Sequence, residues 1–434
     1  MKKVLVLSPT SRERSQLPTI AEKIDCEIIF DDFDNDYFDD FLGENPDLSR
    51  PVLDIVALIE ATIAKYQDAG LAGVTSAVGY PGMSAASVIA ERLGLPGAPP
   101  QAVMICEHKY YSRVFQSEYV PEACPEFNLI DPEEPETQSS ELKFPCFLKP
   151  VKSCMSKNAY IVENQKQLDT LLKSALLPIQ FIEPFNAMVR AYTSMTQDAT
   201  CLLQEGLLSG TQVSLEGYVF DKQTHVMGVV DAIMFPGTMS FKRWQYPSAL
   251  PQGVLDRMIA IATKFMQGIN YDNALFNMEL FYNSAIDRID IIEINPKIAS
   301  QFPNLFEKVD GFNTYQTLLE VAVGNEPAIT SGAGDYNVAA SCVLRTFEDQ
   351  YVVATPTDAE LAAVIAKFPT TRIQIYAHAG HKLSEQVQDA SSYRYGLIDL
   401  GAQSEEELEA KFEQCKAMLT FYFEAVKATT LKLK

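Results

Sequence analysis

The chain has 434 residues, 47% of them hydrophobic, and its 35 Lys and Arg against 57 Asp and Glu leave a formal charge of −22. That length suits two or three domains with sizeable cores, and the acidic balance argues against a general nucleic-acid or anionic-membrane binder, which needs a positive contact surface. The eight cysteines show no C-x-x-C spacing, MKKVLVLSPT is too short an apolar run for a signal peptide, and no window approaches the roughly 18 to 20 apolar residues of a membrane span, so the reading is a reducing, cytoplasmic, globular protein with no membrane partner.

Lys2 to Ser8 is a short buried-strand pattern, and a second apolar run, CEIIFDDF, follows a polar loop, as at the start of an open α/β domain. The acidic stretch from Asp31 to Glu44 reads as a solvated loop. Apolar residues recur at helical spacing from Val52 to Tyr66. GVTSAVGYPGMSAASVIAERLGLPG then reads as strand, loop, helix and Gly-Pro stop, with a turn from Gly79 to Gly82 at the carboxyl end of its strand, where such sheets bind ligands. HKYYSRVF, after Pro99 and Pro100, has a helical pattern, and the proline-rich acidic run from Asp131 to Glu141 is an exposed connection.

FPCFLKPVKSCMSKNAYIVE, residues 144–163, reads as strand, loop, strand. Lys149 ends the first apolar strand, where a buried cation needs a partner or an anionic ligand. CLLQEGLLSGTQVSLEGY, residues 201–218, reads as extended. Val226 to Asp231 is a strand, and FPGTMSFKRWQYPSALP is a long polar-aromatic loop holding Trp244. Lys242 and Arg243 make that loop a candidate substrate loop, although its aromatics read more readily as core packing. VLDRMIAIATKFMQGI is an amphipathic helix stopped at Gly268. From Asn337 a further α+β module follows: strands AASCVLR, RIQIYAH and YGLIDLG, then one amphipathic helix SEEELEAKFEQCKAMLTFYFEAV. His378 and His381 have no acid or third histidine spaced to complete a metal site.

Between the Gly268 stop and this module lies ALFNMELFYNSAIDRIDIIEINPKIAS, residues 274–300. NMELFY and RIDIIEIN alternate at period two about a polar turn, so a β-hairpin is expected. Asn277, Glu279 and Phe281 then share one face of the first strand, and Ile289, Ile291, Glu293 and Asn295 one face of the second. Pairing about Ile286 sets Glu279 opposite Glu293, and Pro296, with no amide donor, ends the ladder. Two facing carboxylates among apolar residues repel one another and call for a cation or a shared proton. Glu279, Glu293 and the Asn295 amide are hard oxygen ligands suited to Mg²⁺.

Glu-x-Asn-Pro directly after DIIEI, with an acid one strand earlier, resembles the metal-binding end of the ATP-grasp superfamily, in particular its biotin-carboxylase-like and L-amino-acid-ligase-like members. The resemblance implies an α/β and α+β multidomain chain: an α/β pre-grasp domain over 1–101, an ATP-grasp domain over 102–330 with a nucleotide lid at about 142–208, and a C-terminal α+β module over 331–434. It also implies ATP with Mg²⁺, or Mn²⁺ in its place, as cofactors. By resemblance Lys109, in K-x-x-x-R, and Lys149 contact the phosphates, and Ser156 lies in the phosphate loop. That loop is normally glycine-rich; here VKSCMSKNA has no glycine and adds Lys152 and Lys157 as substitutes for amide contacts. Gln204, Glu205, Gly206 and Leu207 correspond to the adenine hinge, Gln212 stands where the family expects a ribose-binding acid, and Glu216 is the alternative. Lys297 occupies a position where many relatives carry arginine, and Lys297 or Arg243 is expected to pair the substrate carboxylate.

The activity implied is that of a carboxylate-amine ligase forming an amide through an acyl phosphate, with small-molecule carboxylate and amine as partners and a homodimer as the common assembly of relatives. The alternatives are an enzyme using a non-amine acceptor or bicarbonate, and a catalytically weak nucleotide-binding regulatory protein.

Overall fold

The computed structural model describes residues 1–42, 46–134, 143–154, 156–172, 174–385 and 392–426. Strands β1 (Lys2–Leu7), β2 (Cys26–Asp31) and β3 (Leu71–Thr75) form a parallel sheet in the order β2-β1-β3. Val4 to Leu7 is buried on both faces, which is why it reads as a continuous apolar run. The acidic stretch differs from expectation. Asn35–Leu42 is a helix that buries Tyr37, Phe38 and Phe41, while its acids face outward. The aromatic spacing decides this, because one helical face carries all three rings into the core. Most of the connection from Asp131 to Glu141 lies outside the described residues.

Strands β4 (Phe127–Ile130), β5 (Cys146–Pro150), β6 (Tyr160–Val162) and β7 (Leu202–Gly206) make a second, antiparallel sheet in the order β4-β7-β5-β6. The third sheet carries the hairpin. It combines β8 (Thr211–Phe220), β9 (Gln223–Met234), β10 (Phe241–Tyr246), β11 (Ala274–Asn283), β12 (Arg288–Asn295) and β13 (Val338–Thr346). After β14 (Gln350–Ala354), β15 (Arg372–Ile375) and β16 (Tyr393–Ala402) complete the order β12-β11-β8-β9-β10-β13-β16-β15. The C-terminal strands thus extend the hairpin's own sheet.

Two further expectations are corrected here. The segment expected as a loop around Trp244 contains β10, paired with both β9 and β13, and Trp244 is buried against Phe241 and Phe302. The last helix stops at Ala417, and β17 (Tyr422–Ala425) pairs with β14 instead. FYFEA alternates at period two, and its ring Phe423 packs on Tyr395, so tertiary contact overrides a continued helical reading.

The main core runs through the first and third sheets without a break: Leu5 and Val74 belong to the same buried cluster as Val103, Phe185, Phe265 and Ile291. This shared core fixes the N-terminal unit, the helix Lys109–Tyr119 and the hairpin relative to one another, and those three elements carry the site.

Candidate functional site

Hairpin register is as the sequence predicts at the end that matters: Asn277 faces Asn295 and Glu279 faces Glu293. The remainder differs. A bulge falls between the pairs Glu279–Glu293 and Leu280–Ile291, leaving Ile292 as the extra residue. One extra residue reverses the parity of a strand. Ile289 and Ile291 therefore do not share the face of Glu293, as strict alternation implied; they enter the core while Glu293 and Asn295 stay partly open. The bulge lets one strand be apolar inward along its length and still present a carboxylate at its end.

Burial and the facing charge of Glu293 push Glu279 up to about 7. Burial acts on Glu293 in the same sense, but the ammonium groups of Lys109, Lys149 and Lys297 outweigh it and hold this carboxyl well below the ordinary glutamate range. Glu279 also accepts a hydrogen bond of 3.1 Å from Gln212 Nε2, and Asn295 hydrogen-bonds Glu293. A carboxylate that resists ionisation beside one that does not is the charge pattern a divalent cation relieves. The donor set Glu279, Glu293 and Asn295 fits Mg²⁺, with coordination left for water and phosphate oxygens.

Three lysines converge on this pair. Lys109 Nζ lies 3.5 Å from Glu293 Oε2 and donates to the Ser153 carbonyl at 3.0 Å. Lys149 Nζ lies 2.7 Å from Glu205 Oε2. Glu205 in turn receives Arg113 Nε at 2.5 Å, and Arg113 donates through Nη1 to the Ile291 carbonyl at 2.8 Å and through Nη2 to the Ile292 carbonyl at 2.7 Å. Arg113 is thus the clamp that holds the bulge of β12 to the second sheet. The K-x-x-x-R spacing contained this residue, but only the fold shows its partners.

Lys297 stands half-buried beyond Pro296, with its side chain alongside Gly79 and Glu107. The segment carrying it is pinned by Glu216, which accepts from Ala299 N at 3.0 Å and from Asn277 Nδ2 at 2.8 Å. Glu216 is fully buried and so does not offer itself to a ribose, as the alternative assignment had it. Burial raises its pKa to about 8 against the two donors and Lys297. Between the ordinary value of 4.5 and about 8 the native state keeps a proton that the unfolded chain has lost. Stability therefore falls as pH rises through this window. Denaturant titrations from pH 5 to 9 are expected to show a shallower decline for Glu216→Gln than for the parent, and equal slopes would mean that Glu216 ionises normally.

Other predicted residues are placed differently. Arg243 is a correction: it ion-pairs Glu409 at 2.7 Å and donates to Gln245, on a strand separated from β11 by two others. Strand spacing of about 4.8 Å keeps it out of reach of the carboxylates. Lys152 and Lys157 have partners within the protein. Lys152 is buried in an ion pair with Glu107, 4.7 Å from the ring centres of Tyr80 and Phe185, and Lys157 donates to the Phe41 carbonyl. Glu107, Tyr80 and Phe185 carried no sequence signal, since each looks like ordinary helix or core material. Ser156 keeps its place in the loop after β5, at φ 55°, with its carbonyl accepting from Ala159.

Gln204 and Glu205 sit inside β7 with ladder partners on both sides, and the Glu205 side chain is committed to its cations. The chain leaves the sheet at Leu207, which is 42% exposed. Gly210, at φ +130°, ends this open stretch; a Cβ there would lie 2.2 Å from the Tyr282 carbonyl, so only glycine lets the stretch lie on the hairpin.

Residues 142–303 match the family model described as the ATP-grasp domain. Among solved structures the chain resembles L-amino acid ligase from Bacillus licheniformis (TM-score 0.71, 15% identity, 98% of this chain and 99% of that one). It also resembles phosphoribosylglycinamide synthetase from Anaerococcus prevotii (0.64, 13%, 98% and 100%). A third is the biotin carboxylase domain of Hydrogenobacter thermophilus 2-oxoglutarate carboxylase, solved as a dimer with MgADP and bicarbonate (0.65, 13%, 97% and 91%). At these identities the likeness is one of fold. No curated protein sequence matches at a significant level.

Proposed function

Because the chain carries an ATP-grasp domain, we propose that it is an ATP-dependent carboxylate-amine ligase that forms an amide bond with Mg-ATP converted to ADP and phosphate. The observation that carries this reading is the opposition of Glu279 and Glu293 under three lysines. In a chain of charge −22, such a cluster is a local basin for a polyanion.

Mg-ATP, when bound, supplies a phosphoryl group that converts a carboxylate into an acyl phosphate, which an amine can attack. The protein's own contribution is positioning and charge. Glu279, Glu293 and Asn295 hold the cation; Mn²⁺ suits the same oxygens. Lys109 and Lys149 neutralise phosphate oxygens, and Arg113 keeps Glu205 and Lys149 in register with the hairpin. Leu207 and the open residues after it meet the adenine, Ser156 lies in the loop facing the phosphates, and Gln212 orients Glu279. Lys297 offers a point charge to the substrate carboxylate. A lysine cannot form the bidentate pair of an arginine, so this chain selects its acid by other contacts as well.

The test is ADP release by the purified protein with Mg-ATP and pooled carboxylates and amines, followed by mass spectrometry of each active pool. ADP formation that requires one acid and one amine together, with a product lighter than their sum by one water, establishes the ligase. ADP formation with bicarbonate or an acid alone overturns the amine as acceptor. A second reading, nucleotide binding without turnover, draws on the glycine-free loop, whose Lys152 and Lys157 are turned into the protein. Saturable Mg-ATP binding with no ADP from any pool would select it.

A further inference from the structure

A second concavity, of about 350 Å³, lies where the helix Ser11–Lys23 meets the helix Pro303–Asp310 and strands β15 and β16. None of the nucleotide or metal residues lines it. Its polar wall is unevenly satisfied. Arg12 is committed: Nε and Nη2 donate to Gln374 Oε1 at 3.3 and 3.0 Å, and Nη1 donates to the Ser300 carbonyl. Asp399 Oδ2 accepts from Asn304 Nδ2 at 3.0 Å and has Arg12 at 3.7 Å. Three other acceptors remain. Asp399 Oδ1, Asn304 Oδ1 and Gln16 Oε1 are buried and have no hydrogen-bond partner among the described residues. Asp399 and Asn304 are each 1% exposed.

Buried acceptors left unmade cost free energy, and three on one cavity point to a donor brought from outside. An ammonium group has three donors and no acceptor. A divalent metal is a poor match, because Asp399 is the one carboxylate among the lining residues, whose cations are Arg12 and Arg372. Arg372, the second of those cations, is 47% exposed and lies 3.7 Å from Glu307 at the rim, where it can meet an anion.

We propose that this cavity binds the ammonium group of a small zwitterion, such as an amino acid, with Asp399, Asn304 and Gln16 receiving its protons and Arg372 meeting its anionic group. The binding stands on the cavity. The site is separate from the hairpin: Asp399 lies on β16 with four strands between it and β11, so the bound ammonium is held away from Glu279 and Glu293 and the ligand is not the attacking amine.

The experiment is isothermal titration of the whole protein with each common amino acid, its N-acetyl derivative and the corresponding primary amine, with a non-hydrolysable ATP analogue and Mg²⁺ titrated separately. At least one amino acid is expected to bind saturably, and N-acetylation to weaken it by about a hundredfold, the scale of a lost charged hydrogen-bond set. Asp399→Asn and Gln16→Leu should each weaken it by about tenfold, while Arg372→Ala should weaken the amino acid and not the primary amine. The Gln16 variant, on a helix surface, keeps the test open if Asp399→Asn does not fold. The proposal is overturned if no amine binds while the nucleotide does, if the N-acetyl form binds equally, or if both variants bind as the parent. Loss of nucleotide binding with amino-acid binding intact would instead remove the ligase reading and leave this site standing.

Discussion

Glu293→Gln is expected to lower ADP release by on the order of a hundred- to a thousandfold, the scale seen when one preorganised charge-stabilising group is removed. The change keeps the shape of the side chain and removes the charge that Lys109, Lys149 and Lys297 converge on. A metal held by Glu279 and Asn295 alone has lost a full negative ligand, so the melting-temperature shift given by the ATP analogue should lose its Mg²⁺ dependence as well. The second readout requires no substrate. Activity and Mg²⁺ dependence close to those of the parent would falsify the metal assignment and, with it, the mechanism built on the hairpin.

Arg113→Met is expected to destabilise the protein by about 3–5 kcal/mol, as when one partner of a buried ion pair is removed. Arg113 and Glu205 have side chains only 2% and 3% exposed, and the guanidinium serves Glu205 and two β12 carbonyls at once. Without it, Glu205 is left paired with Lys149, and the Ile291 and Ile292 carbonyls lose the Arg113 donors. The corresponding fall in melting temperature is roughly 3–6 °C for 434 residues unfolding as one unit. Arg113→Lys should not rescue it, because an ammonium cannot reach a carboxylate and two carbonyls in one plane. Combining Arg113→Met with Glu205→Gln should not recover the loss, since the buried Lys149 ammonium would then lose its own carboxylate partner. A single variant within about 0.5 kcal/mol of the parent, the range of ordinary surface changes, would show that Arg113 is no clamp.

Legibility followed the distance along the chain over which a signal is made. Asn277, Glu279, Glu293 and Asn295 are local: alternation and a turn set their pairing, and the ladder agrees. Lys149 could be read as a cation in need of a partner because an apolar strand surrounds it, and its partner proved to be Glu205. Arg243 misled for the converse reason. A basic residue among aromatics in a long stretch without helical period resembles a substrate loop, and nothing nearby in sequence shows that Glu409, 166 residues away, holds it. Lys152 is similar, since its partner Glu107 and its aromatic neighbours Tyr80 and Phe185 come from three separate segments.

Sequence alone thus determined that the chain has an α/β beginning and a hairpin that sets Glu279 opposite Glu293, because strand period and turn chemistry act over a few residues. Tertiary structure decided where the bulge falls, which lysines face the carboxylates and which are held by the protein, and that three unserved acceptors meet in one cavity. Those outcomes depend on burial and on long-range charge pairing, both of which are properties of the packed chain rather than of any segment of it.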